Sequence, residues 1–512
     1  MKYLILISVI LTFNFSAFSF DENIAKATVK IFNKSQSNSA YSPWDYSNVS
    51  GGTGSGVVLG EGRILTNAHV VSNSKYLYIK RNEDPYEYPA KIVHIAHECD
   101  LAVLDVTDNR EEFYKKIAFA ELGVSPQLRE KVNTVGYPKG GSKISVTEGV
   151  VSRIEYHIYV HDGASKHLAI QTDAAINNGN SGGPVVKGGK VVGIAYQSRT
   201  DGQNIGYFIP LFVVERFLKD IDMDGKYDGY IDNGLIVSDM KNTGLKKYSG
   251  LSEDSGVGII VTAIKRNSPL KNFIKKDDVI LEIDGVSIAD DATVTSEFGR
   301  VEWIHVLENK FINDKVKFKI MRDRKMKIVE AKMLPSENMI SNVNQYEFDY
   351  PYFIKAGYVF TVLSRDYLES WGKNWYYDAE LYQMFHYSFF EYMEKEKRDE
   401  IVVLSKILPA DINKYGRELS NKIVKKVNGK EIKDFNDLIY KIGKYESKEE
   451  FLTIEFENTS EMLIIPTNKI KESDDFIRKT YNIRNLLRVK LGSGLRNSGF
   501  DNSIIKFEKQ KA

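Results

Sequence analysis

From residue 24 to about 212, apolar residues come in short runs cut by Gly, Asn, Asp and Pro. Gly56–Leu59, Tyr76–Ile79, Leu101–Leu104 and Val191–Ile194 are typical. Many short β-favouring runs with turn residues between them predict a barrel or sandwich. At Leu211 the period changes, and the spacing of apolar residues to Ile221 predicts a helix that closes this unit. Ser35 to Gly56, rich in Ser, Asn, Gly and Tyr, reads as a long surface loop.

The second half carries a repeat. Asp277–Ile288 (DDVILEIDGVSI) aligns with Asn421–Ile432 (NKIVKKVNGKEI): an apolar strand, an Asp-Gly or Asn-Gly turn, and a second short strand. Those dipeptides suit the positive φ of tight hairpins. Upstream of each lies another apolar strand, Gly258–Val261 and Ile401–Leu404, and downstream a predicted helix, Val301–Asn309 and Asp434–Ile442. The shared order points to duplicated α+β modules. Residues 366–395 interrupt the second with an aromatic-rich insertion that includes Trp371, Trp375, Tyr377, Phe385 and Phe389. It reads either as a lid burying its rings or as a protein contact surface, where aromatics are enriched. The expected division is a leader at 1–19, a β-rich unit at 20–222, modules at 228–340 and 345–467, and a polar C-terminal extension at 468–512 with a frayed end.

The leader follows from its three parts: Lys2, an apolar stretch from Tyr3 to Phe15, and small residues at Ala17 and Ser19. This is the pattern of a secretory signal cleaved after Ser19, and the stretch is shorter than the roughly 20 residues needed to span a bilayer. Export to the periplasm or medium, without a stable membrane anchor, is the expectation. The 512-residue chain has 70 Lys plus Arg against 69 Asp plus Glu, which offers no global case for nucleic-acid or anionic-membrane binding. The single cysteine, Cys99, excludes an intramolecular disulfide framework and a cysteine-cluster metal site. It reads as a small apolar filler.

Three segments of the β-rich unit belong together: Thr66–Val71 (TNAHVV), Cys99–Leu104 (CDLAVL) and Gly179–Pro184 (GNSGGP). They supply His69, Asp100 and Ser181 in the chain order used by chymotrypsin-type double barrels. A serine hydroxyl is a weak nucleophile at neutral pH. It needs a base, His69, to take its proton and return it to the leaving amine. Asp100 would hold the other ring nitrogen and stabilise the imidazolium. Glycines around Ser181 allow a tight turn, so that the N–H groups of Gly179 and Ser181 can form an oxyanion hole worth about 3–4 kcal/mol per donor.

These motifs, with Asp173–Asn178 before the serine segment and Gly206–Pro210 after it, resemble the HtrA/Deg family of serine proteases. The two α+β modules look like the family's PDZ domains, and His97–Asp100 with the diverged second module is similar to its plant Deg-type branch. The resemblance covers about residues 24–465 and is strongest in the protease unit. It implies a mainly β protein: a chymotrypsin-like double β-barrel followed by two α+β PDZ-like domains. It implies an ATP-independent endopeptidase acting on unfolded or damaged proteins, without a cofactor or metal, and assembling as a trimer or multiple of trimers. Ile176 would line the pocket for the residue before the cut, favouring small or medium apolar side chains such as Val or Ala. Loops near Tyr230–Leu235 and Ile354–Val359 would hold peptide carboxylates, though both depart from the family's usual wording. Family members can rest with an unformed site, so a non-catalytic peptide-binding or chaperone role is the alternative. An adhesin or scaffold, resting on the aromatic insertion alone, ranks last.

Other signals are weaker. Asp220–Gly225 begins like an EF-hand loop, but Ile231 stands where the bidentate Glu is needed, so a solvated acidic linker is the expectation. His94 and His97 approach Asp100 in steps of three without a fourth metal ligand, which disfavours zinc.

Overall fold

The computed structural model describes residues 22–489 apart from 142, 199–204, 336–337 and 415. The leader, with its cleavage position, and residues 490–512 lie outside the described residues.

A short helix α1 (Glu22–Ala27) leads into the first barrel, formed by β1 (Thr28–Ser35), β2 (Ser50–Gly60), β3 (Arg63–Thr66), β4 (Ser74–Arg81), β5 (Tyr88–Ala96) and β6 (Leu101–Val106), closed in the order β1-β2-β3-β6-β5-β4. Helix α2 (Ala68–Val71) follows β3, and α3 (Arg110–Lys115) follows β6. Val29, Ile31, Val58, Ile64, Ile79 and Leu104 fill the interior as alternation requires. The loop expected over 35–56 is shorter than that. Residues 50–56 are strand, registered from Ser35↔Ser50 to Val29↔Gly56. Glycine is needed there by close approach, since a Cβ on Gly54 would stand 2.5 Å from Val70 and one on Gly56 2.9 Å from Ile31.

The second barrel has β7 (Lys131–Gly136), β8 (Ser145–Ile158), β9 (Lys166–Thr172), β10 (Pro184–Lys187), β11 (Lys190–Ser198) and β12 (Gly206–Pro210), closed as β10-β11-β12-β9-β8-β7. Helix α4 (Leu211–Asp224) closes the unit and ends at Gly225 in the left-handed region, φ 83°. The helix runs past Ile221, so Asp220–Asp224 is its last turn and neither a calcium loop nor a linker. Asp220 is buried and accepts the N–H groups of Asp228 and Gly229 at 3.0 and 3.2 Å.

The first module contains β13 (Leu235–Asp239), α5 (Thr243–Tyr248), β14 (Ile259–Ile264), β15 (Val279–Ile283), β16 (Val286–Ser287), the hairpin of β17 (Thr293–Ser296) and β18 (Gly299–Glu302), α6 (His305–Glu308), β19 (Lys315–Arg322) and β20 (Lys325–Lys332). Its main sheet runs β13-β14-β15-β19-β20. The helix expected from Val301 starts only at His305, because Val301 pairs with Val294 across the hairpin and β-branched residues suit that surface.

The second module contains β21 (Tyr352–Lys355), β22 (Tyr358–Val362), the insertion helices α7 (Arg365–Leu368), α8 (Trp375–Asp378) and α9 (Leu381–Phe389), then β23 (Val402–Ile407), β24 (Val424–Val427), β25 (Lys430–Glu431), α10 (Phe435–Glu446), β26 (Phe451–Phe456), β27 (Met462–Pro466), α11 (Ile470–Thr480) and β28 (Leu487–Arg488). Its sheets are ordered β23-β22-β21-β28 and β25-β24-β26-β27. Asp434 caps α10 by accepting the Asp437 N–H at 2.7 Å. The fold does not stop at 467. Helix α11 buries Ile470 and Ile477, and β28 pairs with β21. Two inward isoleucines seven residues apart, on a helix whose other large apolar residue, Phe476, faces solvent, are too thin a stripe to stand out in the sequence.

The insertion buries only some of its rings. Tyr367 and Phe390 are buried, while Tyr377 and Leu381 are 80% and 77% exposed, beside exposed Phe385 and Phe389.

A continuous apolar cluster joins the second barrel, α4 and the first module. Polar groups lock the same seam. Tyr156 hydroxyl meets His305 Nδ1 at 2.9 Å and donates to Glu308 Oε2, and His167 Nδ1 lies 2.7 Å from Glu308 Oε1. Arg216 of α4 donates to the Glu308 and Gly229 carbonyls and stacks on Tyr230, 4.0 Å from its ring centre.

Candidate active site

His69 rides on α2, a single turn that follows β3, and Asp100 ends the tight turn before β6. Strands β3 and β6 are hydrogen-bonded neighbours, with Thr66 opposite Ala102, so the barrel register brings the two residues together. Asp100 is fully buried, with φ 52°, in the left-handed region that Asp tolerates better than most residues. Its Oδ2 is 2.7 Å from His69 Nδ1 and its Oδ1 accepts the His69 backbone N–H at 2.8 Å. Asn67 Nδ2 donates to the Asp100 carbonyl at 3.0 Å. Burial pushes the His69 pKa down, but the charge and hydrogen bond of Asp100 outweigh it and the net shift is upward.

Ser181 comes from the second barrel, on the turn before β10. Gly54 joins the halves: a Cβ there would touch Val70 of α2 at 2.5 Å and the Ser181 carbonyl at 3.2 Å. The turn needs its glycines. At Gly182, φ 83°, a Cβ would stand 2.1 Å from the Ser55 carbonyl, and at Gly179, φ 101°, 2.4 Å from the Tyr137 carbonyl. Asn180 N–H bonds Asn177 O at 2.9 Å and Gly182 N–H bonds Ala195 O at 2.8 Å. Among the described residues no protein acceptor engages the N–H of Gly179 or Ser181. Ser181 Oγ donates to the Tyr196 carbonyl at 3.2 Å and makes no hydrogen bond to His69 among the described residues.

Ser55 is a positioning residue that the sequence reading did not single out. Its buried hydroxyl donates to the Gly179 carbonyl at 2.7 Å and accepts the Tyr137 N–H at 2.8 Å, while its own N–H bonds the Ser181 carbonyl at 2.8 Å. The only signal was a serine between two glycines (Gly54-Ser55-Gly56) ahead of an apolar run.

Ile176 is buried in the second-barrel core, and its Cδ1 lies 3.0 Å from where a Cβ on Gly206 would sit. His94 and His97 have different partners. Arg63 and Asp222 lie near His94, whereas His97 bonds His161 and Glu347, both at 2.9 Å. Cys99 is buried, 3.8 Å from the Tyr227 hydroxyl, and burial pushes its thiol pKa well up. Of the two expected carboxylate loops, Tyr230 is packed under Arg216. Around Ile354–Val359 the backbone is bonded to its own chain: Ile354 N–H to Leu486 O at 2.7 Å, and Ala356 N–H to Asp474 Oδ1 at 2.7 Å.

Two closed β-barrels with a paired His–Asp on one and a glycine-bound serine turn on the other define a trypsin-like peptidase fold. The chain matches the trypsin-like peptidase domain model over residues 54–194 and PDZ domain models over 234–333 and 341–487. It is 36% identical over 417 residues to "Putative protease Do-like 3, mitochondrial" of Arabidopsis thaliana, covering 81% of this chain and 71% of that one. It is 34% identical over 447 residues to "Protease Do-like 2, chloroplastic" of the same plant, covering 86% and 71%. It is 30% identical to the "Serine protease DegP homolog" of Plasmodium falciparum (isolate 3D7), covering 76% of this chain and 55% of that one. An HtrA-type protease solved with a decapeptide shares the fold, with a TM-score of 0.50 at 22% identity, covering 64% of this chain and 97% of that one. The chain belongs to the Do-like (HtrA/Deg) family of trypsin-like serine proteases with PDZ domains.

Proposed function

We propose that this chain is an ATP-independent serine endopeptidase that hydrolyses unfolded or damaged proteins. The observation that carries the reading is the His69–Asp100 pair of one barrel together with the Gly179–Ser181 turn of the other, which Ser55 of the first barrel holds. Ser181 Oγ attacks the scissile carbonyl and passes its proton to His69 Nε2. Asp100 holds the Nδ1 proton and offsets the imidazolium charge. The N–H groups of Gly179 and Ser181 receive the oxyanion. His69 then protonates the leaving amine, and water on the same path hydrolyses the acyl-enzyme. Ile176 and Gly206 form the wall that limits the residue before the cut to small or medium apolar side chains.

Residues 1–19 direct export to the periplasm or medium. Among the described residues no helix is long and apolar enough to cross a membrane. The named Arabidopsis relatives are mitochondrial or chloroplastic. Oligomerisation, as a trimer or multiple of trimers, is part of the proposal. One observation favours the alternative of a peptide-binding or chaperone protein: the Ser181 hydroxyl is spent on the Tyr196 carbonyl. Rotation about χ1 of Ser181 frees it.

Casein hydrolysis by the chain lacking residues 1–19, measured beside Ser181→Ala, tests the proposal. Cleavage that disappears in the variant supports it. No cleavage by either, across temperature and added peptides, supports the alternative, and equal cleavage removes Ser181 from the role of nucleophile.

A further inference from the structure

A second imidazole–carboxylate chain stands beside the first. His97 precedes the Asp100 turn and His161 lies in the loop between β8 and β9. Their Nδ1 and Nε2 atoms are 2.9 Å apart, and His97 Nε2 is 2.9 Å from Glu347 Oε2. Tyr346 covers both rings, with centroids 4.1 Å from His161 and 4.8 Å from His97, and its hydroxyl donates to the His161 carbonyl at 2.5 Å. Tyr346 and Glu347 lie between β20 and β21, at the start of the second PDZ match.

One arrangement of protons meets every contact in the chain. The Ser72 hydroxyl gives its one proton to the Ala68 carbonyl at 2.7 Å, so toward His161 Nε2, 3.4 Å away, it accepts. His161 Nε2–H is then shared between that hydroxyl and His97 Nδ1. His97 Nε2–H then donates to Glu347. Burial pushes the His161 pKa down to about 4, which agrees with a neutral ring. Burial pushes the Glu347 carboxyl up, but the bonds from His97 and the Asn73 N–H bring the net shift below the ordinary value, which agrees with a carboxylate at the chain's end.

Both elements that carry the catalytic pair are held by this chain. Glu347 accepts the Asn73 N–H, and its own N–H bonds Asn73 Oδ1 at 2.8 Å, just past α2. His161 contacts Ser72, which closes α2, and its ring is 6.1 Å from that of His69. The Asp100 N–H bonds the His97 carbonyl at 3.2 Å, so clamping His97 steadies the turn that sets Asp100 at positive φ. The segment is anchored to the second module, where Gln345 N–H bonds Asp366 Oδ2 at 3.1 Å and Asn344 Nδ2 bonds Glu369 Oε2 at 2.6 Å. From the same side Arg365 donates to the Gly163 carbonyl at 2.8 Å.

We propose that Tyr346 and Glu347 are positioning residues for the reaction: the segment leading into β21 of the second module clamps His97 and His161, and through them sets the His69–Asp100 pair. The proposal rests on His69 acting as general base toward Ser181.

The test uses the full chain without residues 1–19, a short peptide substrate and a fluorophosphonate probe. Labelling of the parent, absent in Ser181→Ala, checks the underlying reading separately. Glu347→Ala and Tyr346→Ala are expected to lower kcat about ten- to hundredfold, the scale of small misplacements in an active site, with KM little changed. They also move the acid limb of kcat/KM to lower pH, because a loosened Asp100 no longer holds the His69 pKa up. Tyr346→Phe, which keeps the stacking, recovers most of the rate. A parent-like kcat and acid limb in both alanine variants overturns the proposal. So does a fall in kcat with an unmoved acid limb and no recovery in Tyr346→Phe, which would make the segment a fold element only.

Discussion

Asp100 grips His69 at two points: Oδ2 at 2.7 Å from the ring Nδ1 and Oδ1 at 2.8 Å from the backbone nitrogen. The carboxylate thus sets both the ring's rotamer and the turn of helix beneath it. Asp100→Asn is expected to lower kcat/KM by about 10⁴-fold through the wrong imidazole tautomer, with the fold retained by circular dichroism.

The sign of the pH dependence follows from the same pair. In the proposed reaction His69 is a neutral base, and its pKa is raised. Activity therefore climbs as pH rises through that raised value, and Asp100→Asn moves the acid limb down. For stability the direction is opposite. A raised folded-state pKa contributes stability below the ordinary value of 6.5, lost as pH rises through the folded value. The melting-temperature difference between the parent and His69→Ala should be larger at pH 5 than at pH 9.

Ser55→Ala removes one hydroxyl and strands two buried groups, the Gly179 carbonyl and the Tyr137 N–H. At about 1–3 kcal/mol for each unmet group, the loss in a urea titration should be near 2–6 kcal/mol. The fall in activity should lie in kcat more than KM, because the turn that presents Ser181 loses its brace.

Ile176→Ala enlarges the space against Gly206. Mass spectrometry of casein fragments should show cleavage moving from Val and Ala toward Leu, Met and Phe. Removing a buried isoleucine should also cost about 2–5 kcal/mol. An unchanged cleavage pattern would remove Ile176 from the pocket.

Glu308→Ala breaks a buried pair at the seam between protease and first module, leaving His167 and the Tyr156 hydroxyl without their carboxylate. At about 1–3 kcal/mol for each buried group left unmet, the loss should be near 2–6 kcal/mol. Limited trypsin digestion should then cut the connection around Lys226 faster than in the parent.

Much of this protein was legible in its residues because local chemistry is written locally. The His, Asp and Ser motifs, the β runs and the Asp-Gly and Asn-Gly hairpins each depend on a few neighbours in the chain. Boundaries were less legible. Residues 50–56 look like loop by composition, yet pairing with β1 makes them strand. The acidic run 220–224 looks like a binding loop, yet it finishes α4. Helix α11 shows only a narrow apolar stripe, and its place in the core depends on the sheet it meets.

The sequence by itself determined the class of fold, the His, Asp and Ser segments of the candidate site, and the two modules behind them, since backbone preferences and side-chain chemistry are carried by residue type and spacing. Tertiary structure alone decided that Ser55 braces the Ser181 turn, that Glu308 is sealed between protease and module, and that Glu347 reaches His97 from 250 residues away. Contacts of that range arise when barrels close and modules dock, and no periodicity along the chain records them.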